Sequence, residues 1–475
     1  MTRDRTHPGD DEPPTNGSSK HAATDGSGGA TPAEGETSRL TARPRWQVDL
    51  GVIVLTTLAI YGLIAVLGLA TGISYGGIFG QLQSVTFLAA AYALVVLALN
   101  LHWGYTGLFN IGVAGFMAVG AYGMAILTAP TEGTTTPGLG LPLWIGIPAG
   151  VLLAGLAGLV LVLPALRIRA DYFAIVTLAF AEVIRLTINS GALADFELFG
   201  RELGTGGGRG ISFPLLEHVI PNRILYQGGD PTQGANALGA WLFSIAADLG
   251  IRQTIVESAV YTSLVVVLVV IVFVLLTRTA NSPFGRVLKG IREDELATKS
   301  LGKNTDLVKI KVFVLGCALM GLAGIFWQGR NGYIDPDAFL PIITFYIFIA
   351  LIIGGAGSNT GSVVGAIVFA GLLFEGPPYV QRIVSQLVTL PRPETVYGGV
   401  VALGDLDPLP LAGYVVGELM NIRFIIFGVI LILLMIYRPD GLLGHRNEPA
   451  SPLDLRNERA PNDRPQTGEG GETDE

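Results

Sequence analysis

Two charged residues of opposite sign, Glu182 and Arg185, lie in the largely apolar run from Ala170 to Leu186. Because they are three residues apart, they would share one face of a helix and neutralise each other. Pairing matters in a membrane, where a lone charge at the bilayer centre costs about 3 kcal/mol or more. An intramembrane carboxylate can also bind a coupling ion in a transporter. A structural pair is the favoured interpretation, and an ion-coupling carboxylate is the alternative.

The sequence has no pattern typical of nucleotide or metal binding. Its Gly-Lys pair, Gly302 and Lys303, lacks both the Ser or Thr and the earlier glycine of a P-loop. The five histidines are scattered, and His102 beside Trp103 is expected at the membrane interface rather than on a metal. The single cysteine, Cys317, excludes an intramolecular disulfide. We therefore expect neither an enzyme nor a cofactor bound by this chain.

Glycines and neutral polar residues interrupt two further apolar stretches. The first, Ala98 to Ile126, contains Asn100, Tyr105 and Asn110 at a junction between two apolar runs. Interrupted helices of this kind can expose backbone groups to a substrate, but glycines also let helices pack closely, and both interpretations stay open. The second stretch, GGAGSNTG beginning at Gly354, predicts a glycine hinge or a tight turn.

The composition indicates a polytopic membrane protein. Of 475 residues, 50% are hydrophobic and 14% are charged, and the mean hydropathy is +0.53. Because a helix needs about 20 apolar residues to cross a bilayer, we predict an all-α bundle of about ten transmembrane spans. The predicted spans are 48–70, 82–101, 108–128, 142–163, 171–190, 256–277, 308–328, 341–355, 362–375 and 419–437. The short runs on either side of GGAGSNTG could instead form a re-entrant pair.

The lysines are concentrated in one segment of the chain. All lysines except Lys20 fall within residues 281–311. They are Lys289, Lys299, Lys303, Lys309 and Lys311. Loops rich in Lys and Arg stay on the cytoplasmic side, so this segment is predicted to be cytoplasmic. With about ten spans, both termini of this multi-pass cell-membrane protein are then cytoplasmic as well.

Three regions follow from this pattern. Residues 1–45 are polar and lack apolar periodicity, which predicts a disordered cytoplasmic tail, and residues 445–475 predict a disordered acidic tail. Residues 46–444 form the transmembrane domain. Two long segments on the opposite side, Gly191 to Ile255 and Gly376 to Glu418, are either surfaces for an extracytoplasmic partner or simple loop expansions.

The lysine-rich segment predicts two short helices. Ser282 followed by Pro283 is typical of a cap and a first turn. The acidic residues from Glu293 to Glu295, Lys299 after them and Gly302 at the end predict a second helix whose charges match its dipole. Short amphipathic helices are a common means of docking into a partner's groove. The alternative is a solvated basic loop that only fixes topology.

The run from Phe284 to Gly302, FGRVLKGIREDELATKSLG, resembles the coupling segment of LivM-type permease subunits of branched-chain amino acid ABC importers. In that family the segment docks onto the ATP-binding subunits. Related permeases carry Glu-Ala-Ala, three residues and Gly, and only Ala297 of Leu296 to Thr298 matches that triplet. The coupling residues implied by the resemblance are Phe284, Arg292, Glu293, Asp294, Glu295, Ala297 and Gly302.

Further motifs similar to those of this family occur in the same order along the chain. They are Leu99 to Leu101, Gly104 to Gly107, Gly120 to Tyr122, Tyr172 to Ala174, Thr177 to Phe180, Glu182, Arg185, Gly354, Gly355, Gly357 and Tyr437 to Gly444. Val113 stands where the family usually has a histidine, so any role of that imidazole is absent here. The substrate path expected from these polar and glycine-rich motifs comprises Asn100, Tyr105, Asn110, Tyr172, Thr177, Gly354 and Gly355.

The resemblance implies a permease subunit that works with partners. These are a second permease subunit, two ATP-binding subunits that bind the ATP, an extracytoplasmic substrate-binding protein and the lipid bilayer, with no nucleic acid. Leucine, isoleucine or valine is the expected cargo, and urea or a short-chain amide is the alternative because similar permeases carry them. The alternative mechanism is an ion-coupled secondary transporter that uses Glu182.

Overall fold

The computed structural model describes residues 45–133, 136–166, 170–198 and 200–443. The compact unit begins at Asp49, and of the preceding unit, Met1–Val48, only residues 45–48 are described. The predicted disordered tails therefore lie outside the described residues, apart from Arg45. Arg167 and Arg169, in the loop predicted to be cytoplasmic, also lie outside them.

The described residues form an almost wholly helical bundle, as predicted. The helices of the first half are α1 (Arg45–Ala70), α2 (Tyr75–Leu99), α3 (Val113–Thr128), α4 (Leu143–Ala165), α5 (Ala170–Asn189), α6 (Gly191–Ala194), α7 (Leu216–Leu225) and α8 (Ala237–Asp248). Those of the second half are α9 (Gln253–Ala280), α10 (Pro283–Glu293), α11 (Glu295–Ser300), α12 (Thr305–Gln328), α13 (Pro341–Gly354), α14 (Asn359–Val368), α15 (Gly376–Leu387), α16 (Val396–Gly404), α17 (Leu409–Gly417) and α18 (Leu419–Tyr437). The strands are β1 (Phe196–Leu198), β2 (Arg201–Leu203), β3 (Ile211–Ser212) and β4 (Tyr333–Ile334).

By length and composition, 8 of the described helices could cross a membrane, or 9 if the bent pair Leu409–Gly417 and Asn421–Tyr437 counts as one span. The predicted span 108–128 is represented by α3, which has only 16 residues. The runs on either side of GGAGSNTG are longer than the sequence indicated. They form helices Pro336–Gly354 and Asn359–Leu387, each long enough to cross on its own.

The core lies around α2 and in the contact between α3, α4 and α12. Residues 94–99 of α2 are fully buried, and this helix contacts α9, α12, α13 and α14. Between α3 and α12 the backbones nearly touch, because a Cβ atom on Gly120 would lie 2.5 Å from Cα of Gly321. Only glycine fits such an approach, so these glycines contribute to helix packing.

The helices run between two ends, which we call the coupling end and the far end. The coupling end carries α10 and α11, which join the end of α9 to the start of α12. A π-helical turn, Asn100–Tyr105, continues α2 to the same end, where Arg292 Nη1 donates to the Gly104 carbonyl at 2.6 Å. The far end carries the starts of α2 and α9 and the end of α12.

The predicted external segment Gly191 to Ile255 lies at the far end and is tied to the bundle by strands and helices. Strands β1 and β2 form an antiparallel hairpin, and β3 pairs with β4, with Ile211 opposite Ile334. Helices α7 and α8 pack on α9, where Tyr226 Oη donates to Glu257 Oε1 at 2.5 Å. The second external segment contains α16 and α17.

Candidate functional site

Helix α10 has the cap and the buried face that its sequence predicts. Ser282 Oγ accepts from the Gly285 amide at 3.3 Å, and the predicted proline occupies the first turn. Leu288 and Ile291 are buried, and Phe284 packs against the same core while remaining half-buried. Phe284, predicted to couple to a partner, therefore faces the bundle in this chain.

Helix α11 is also capped as predicted, with one change at its start. Asp294 Oδ1 accepts from the Ala297 amide at 3.0 Å, and Gly302 ends the segment with a φ of +76°. Glu293, placed by the sequence at the start of this helix, instead ends α10. A kink at Asp294 thus separates the two helices, and the prediction of two short helices is confirmed.

Arg292 fastens α10 to the end of α2. Its Nη1 donates to the Gly104 carbonyl at 2.6 Å, and its Nη2 pairs with Glu293 Oε1 at 2.6 Å. The side chain is only 21% exposed and lies against Gly107, whose φ is +76°. A charged donor on a backbone carbonyl is a strong hydrogen bond, so movement of α10 is coupled to the π-helical turn.

Glu295 fastens α11 to α12. Its carboxylate pairs with Lys309 Nζ at 2.5 Å and Lys299 Nζ at 3.3 Å, and accepts from Thr305 Oγ1 at 3.0 Å. Partial burial alone would raise the pKa of Glu295, but the hydrogen bond and charge of Lys309, with the bonds from Thr305 and Lys299, hold it below the usual glutamate value. Glu295 therefore stays ionised at neutral pH and bonded within the chain.

The outer surface of this segment is formed by other residues. Leu296 and Leu301 are 77% and 80% exposed, although both are large apolar side chains. The predicted coupling residues that are exposed beside them are Glu293, Asp294, Ala297 and Gly302. The two leucines were not among the coupling residues predicted from the sequence. Their position between charged residues on a capped helix could have indicated them. The exposed surface of this segment therefore contains large apolar side chains among charged ones.

Asn100, a predicted substrate-path residue, joins three elements at the coupling end. Its Nδ2 donates to Asn359 Oδ1 at 3.0 Å, and its Oδ1 accepts from the Gly357 amide at 2.8 Å. Asn359 Nδ2 in turn donates to Thr277 Oγ1 at 3.1 Å. Asn100 is fully buried, and its amide group connects the π-helical turn with α14 directly and with α9 through Asn359.

His102 is fully buried inside the bundle near the end of the span Tyr75–Tyr105, and its predicted place at the membrane interface stays a prediction. Its ring stacks on Phe313, and its Nε2 lies 3.1 Å from the Phe313 carbonyl. Its Nδ1 lies 3.2 Å from Asn110 Nδ2, while Asn110 Oδ1 accepts from the Gly112 amide at 2.9 Å. A carbonyl can only accept and an amide NH₂ can only donate, so these neighbours assign the proton to Nε2. His102 and Asn110 thus form a neutral link to α12.

The other polar path candidates lie in contrasting environments. Thr177 is fully buried, accepts from the Ile111 amide at 3.0 Å and donates to the Ala174 carbonyl at 2.9 Å. Tyr105 is also buried. Tyr172, on the same helix as Thr177, is 57% exposed on the outside of the chain. The structure therefore does not gather these side chains around one opening, and their role in a substrate path stays a prediction.

Gly354 and Gly355 form a close-packed turn at the coupling end. A Cβ atom on Gly354 would lie 1.9 Å from the Gly361 carbonyl oxygen, and Gly355 has a φ of +105°. The chain returns here after α18, because the Leu443 amide donates to the Gly354 carbonyl at 3.1 Å. The predicted tight turn is confirmed, and it packs against the last described residues.

Glu182 and Arg185 pair as predicted. Arg185 Nη2 lies 2.6 Å from Glu182 Oε1, and Arg185 Nε lies 3.0 Å from Oε2. Arg185 Nη1 also binds Asp337 Oδ1 at 3.0 Å, which ties α5 to the turn before α13. These contacts favour the structural interpretation. Among the described residues, no group of three His, Cys, Asp or Glu could hold a metal ion.

Comparison with known proteins identifies relatives of this chain. The LivM permease protein of the high-affinity branched-chain amino acid transport system of Escherichia coli (strain K12) is 31% identical over 306 residues, which are 64% of this chain and 65% of that relative. The probable branched-chain amino acid transport permease protein LivM of Methanocaldococcus jannaschii is 25% identical over 382 residues, 74% of this chain and 90% of that relative. The autoinducer 2 import system permease protein LsrC of Yersinia enterocolitica is 28% identical over 241 residues, 48% of this chain and 63% of that relative.

The match spans less than two thirds of the LivM proteins of Escherichia coli and Salmonella typhimurium, at 65% and 60% of their lengths. No solved structure matches the chain. The family model described as branched-chain amino acid transport system / permease component matches residues 81–390, which hold the π-helical turn, the coupling segment and the glycine turn. The chain therefore belongs to this family of branched-chain amino acid transport permeases.

Proposed function

We propose that the chain is the membrane-spanning permease subunit of an ATP-driven importer for branched-chain amino acids. Two ATP-binding subunits supply the energy, an extracytoplasmic substrate-binding protein delivers the cargo, and a second permease subunit completes the path. The chain itself hydrolyses no ATP. Family membership supports this function, as does the name of the Escherichia coli LivM relative.

The observation that carries the proposal is the construction of the coupling segment. Arg292 and Glu295 turn inward and fasten it to α2 and α12, whereas Leu296 and Leu301 turn outward. A partner that binds this surface can shift the permease between two states only if its affinity differs between them. Because α10 and α11 are fastened to bundle helices, a shift of the docked surface is passed to those helices directly.

The proposed orientation puts the coupling end in the cytoplasm. The lysines of this end support it, since basic loops stay on the cytoplasmic side. The last described residues bond to the Gly354 turn at the same end, which supports a cytoplasmic C-terminus. The segments before α9 and after α15 then face outward, where a substrate-binding protein would dock.

The test replaces the two exposed leucines together, Leu296→Asp with Leu301→Asp. Burying a leucine contributes about 1.5–3 kcal/mol, so losing both should weaken binding of the ATP-binding subunits by about 100-fold or more. The measurement is co-purification of those subunits with the full chain in detergent. A matched control is Leu387→Asp with Leu406→Asp, which changes leucines that are 77% and 92% exposed outside the coupling segment. Equal yields from both double variants would contradict the docking surface.

The energy source separates this proposal from an ion-coupled transporter. Leucine uptake by the reconstituted complex should persist when proton and sodium gradients are collapsed and stop when ATP is depleted. In Glu182→Gln the same ATP dependence is expected, because Glu182 pairs with Arg185 rather than binding an ion. Gradient-dependent uptake that disappears in Glu182→Gln would favour the ion-coupled mechanism instead.

The cargo of the importer has to be identified separately from its mechanism. A relative named for autoinducer 2 import has 28% identity to this chain, so similar permeases serve chemically different cargo. We propose that the binding protein makes the main selection, with leucine, isoleucine or valine as cargo and urea or a short-chain amide as the alternative. Titration of the binding protein with these compounds distinguishes them.

A further inference from the structure

A cavity opens at the far end, on the side of the bundle opposite the coupling segment. It lies between the first turns of α2 and α9, the end of α12 and the start of α15, and it has a volume of about 480 Å³. Pockets for small molecules typically measure about 300–1,000 Å³. The cavity is therefore large enough for one small solute, and it includes none of the residues predicted from the sequence to line a substrate path.

The walls of this cavity carry charges of both signs. Arg252, Arg330 and Arg382 supply the positive charges, and Glu375 supplies a negative one. Arg330 is partly neutralised by Glu217, whose Oε1 lies 3.5 Å from its Nε. Arg252 and Arg382 are both exposed and line the same cavity as Glu375.

Two neutral glutamines line the same cavity, and they differ in how they are bonded. Gln83 Nε2 donates to Thr262 Oγ1 at 2.7 Å and to the Ser258 carbonyl at 3.1 Å, which ties α2 to α9. Gln81 Oε1 is buried and accepts no hydrogen bond from any described residue. Gln83 thus fixes the relative position of two helices that form walls of the cavity.

We propose that this cavity binds the zwitterionic head of an α-amino acid. The carboxylate binds the guanidinium groups of Arg252 and Arg382, and the ammonium group binds Glu375. Ile255 and Pro378 supply an apolar wall for the side chain. Guanidinium groups match carboxylates because they donate two parallel N–H bonds. Since the proposed orientation makes the far end extracytoplasmic, the site receives cargo released by the binding protein, and in this respect it rests on the proposed function.

The test uses three probes of similar size and different charge. L-leucine has both charged groups, leucinamide lacks the carboxylate, and 4-methylpentanoate lacks the ammonium group. Binding to the full chain in lipid nanodiscs is followed by saturation-transfer NMR, which detects weak ligands. Leucine should bind most tightly, because it alone satisfies both signs of charge in the cavity.

Two variants test which residues of the cavity bind the ammonium group and which bind the carboxylate. Glu375→Gln should weaken leucine and leucinamide by about 10-fold or more and leave 4-methylpentanoate unchanged. The double variant Arg252→Gln with Arg382→Gln should weaken leucine and 4-methylpentanoate and leave leucinamide unchanged. Matched controls are Glu394→Gln and Arg392→Gln, exposed residues that do not line the cavity. Because both arginines are exposed, their replacement leaves the fold intact and keeps the test decisive.

The outcomes separate this site from the proposed function. Absence of leucine binding by the folded chain, or equal effects of both variants on all three probes, overturns the site. ATP-driven leucine uptake with unchanged kinetics in both variants also overturns it, while the importer function stands. Conversely, the expected probe pattern in a complex that carries no branched-chain amino acid supports the site and contradicts the cargo.

Discussion

The two ends of the bundle use their charged residues in opposite ways. At the coupling end, Arg292 and Glu295 bind groups of their own chain, and the exposed surface left over is apolar at Leu296 and Leu301. At the far end, Arg252 and Arg382 are exposed and, with Glu375, line a cavity. The coupling end therefore uses these charges to fix its own geometry, whereas the far end, besides its pair of Arg330 with Glu217, presents charge to a solute.

This difference fits the two tasks proposed for the ends. A surface that transmits motion has to be stiff, and ion pairs and charged hydrogen bonds restrain the elements that they connect. A site that receives and releases cargo has to hold it weakly, and exposed arginines in high dielectric bind anions weakly. Variants at the coupling end therefore test its stiffness, and variants at the far end serve as the reference.

The largest effect is expected for Gly104→Ala, at the coupling end of the span Tyr75–Tyr105. A Cβ atom there would lie 1.9 Å from Asn100 Oδ1 and 2.5 Å from the Gly357 amide nitrogen, so the junction has to open. Overpacking of this kind costs about 1–3 kcal/mol and sometimes more. Thermal unfolding of the purified chain should show the loss.

The control for this glycine lies at the other end of the same span. Gly80→Ala places a Cβ atom 3.4 Å from the Ile255 side chain, which is ordinary contact. It should leave thermal stability unchanged, because alanine also favours a helix more than glycine does. If both variants unfolded at the same temperature, the coupling end would be no stiffer than the far end.

An intermediate effect is expected for Arg292→Gln. The shorter, neutral side chain loses the bond to the Gly104 carbonyl, and hydrogen bonds from charged groups contribute about 1.5–3 kcal/mol, with partial exposure favouring the lower value. Hydrogen exchange of the α10 amides should become faster, while membrane insertion is retained. Arg286→Gln, an exposed arginine on the same helix, is the matched control and should leave exchange unchanged. Equal protection in the two variants would mean that Arg292 does not fasten α10.

The sequence predicted the helix starts and the helix end of the coupling segment well because their determinants are local. Ser282 and Asp294 cap amides three residues ahead of them, so residue type and spacing alone reveal both helix starts. Gly302 is recognisable for the same reason. It stands just past the end of a helix, where the backbone adopts a positive φ that favours glycine. The pairing of Glu182 with Arg185, three residues apart, is equally local.

The far-end cavity could not be predicted, because its walls come from distant parts of the chain. Glu375 and Arg252 each stand beside an apolar run, and nothing in the spacing shows that they line one cavity. The burial of His102 could not be predicted for a related reason. Trp103 beside it is typical of an interface, whereas its burial depends on Phe313, 211 residues away. Long-range contacts of this kind are set by helix packing, which periodicity does not specify.

The smallest effect concerns Glu295 and its dependence on pH. The partners Lys309, Thr305 and Lys299 lower the pKa of Glu295 in the folded chain below 4.5, its usual value, despite partial burial. A carboxyl group with a depressed folded pKa stabilises the fold fully above its unfolded pKa, and that stabilisation is lost as the pH falls through the folded value. The contribution of Glu295 should therefore be complete at neutral pH and disappear below about pH 4.5.

The experiment compares thermal unfolding of the wild type and Glu295→Gln from pH 7 down to pH 3. Partly exposed ion pairs contribute about 0.2–1 kcal/mol, so the wild type should be slightly more stable at pH 7. The difference should shrink as the pH falls below 4.5, because protonation of Glu295 makes the wild type resemble the variant. Glu394→Gln, an exposed glutamate at the far end, provides the reference for acid effects elsewhere. A stability difference that stayed constant across this range would mean that Glu295 fastens α11 by its shape rather than by its charge, and the contrast between the two ends would then rest on Arg292 alone.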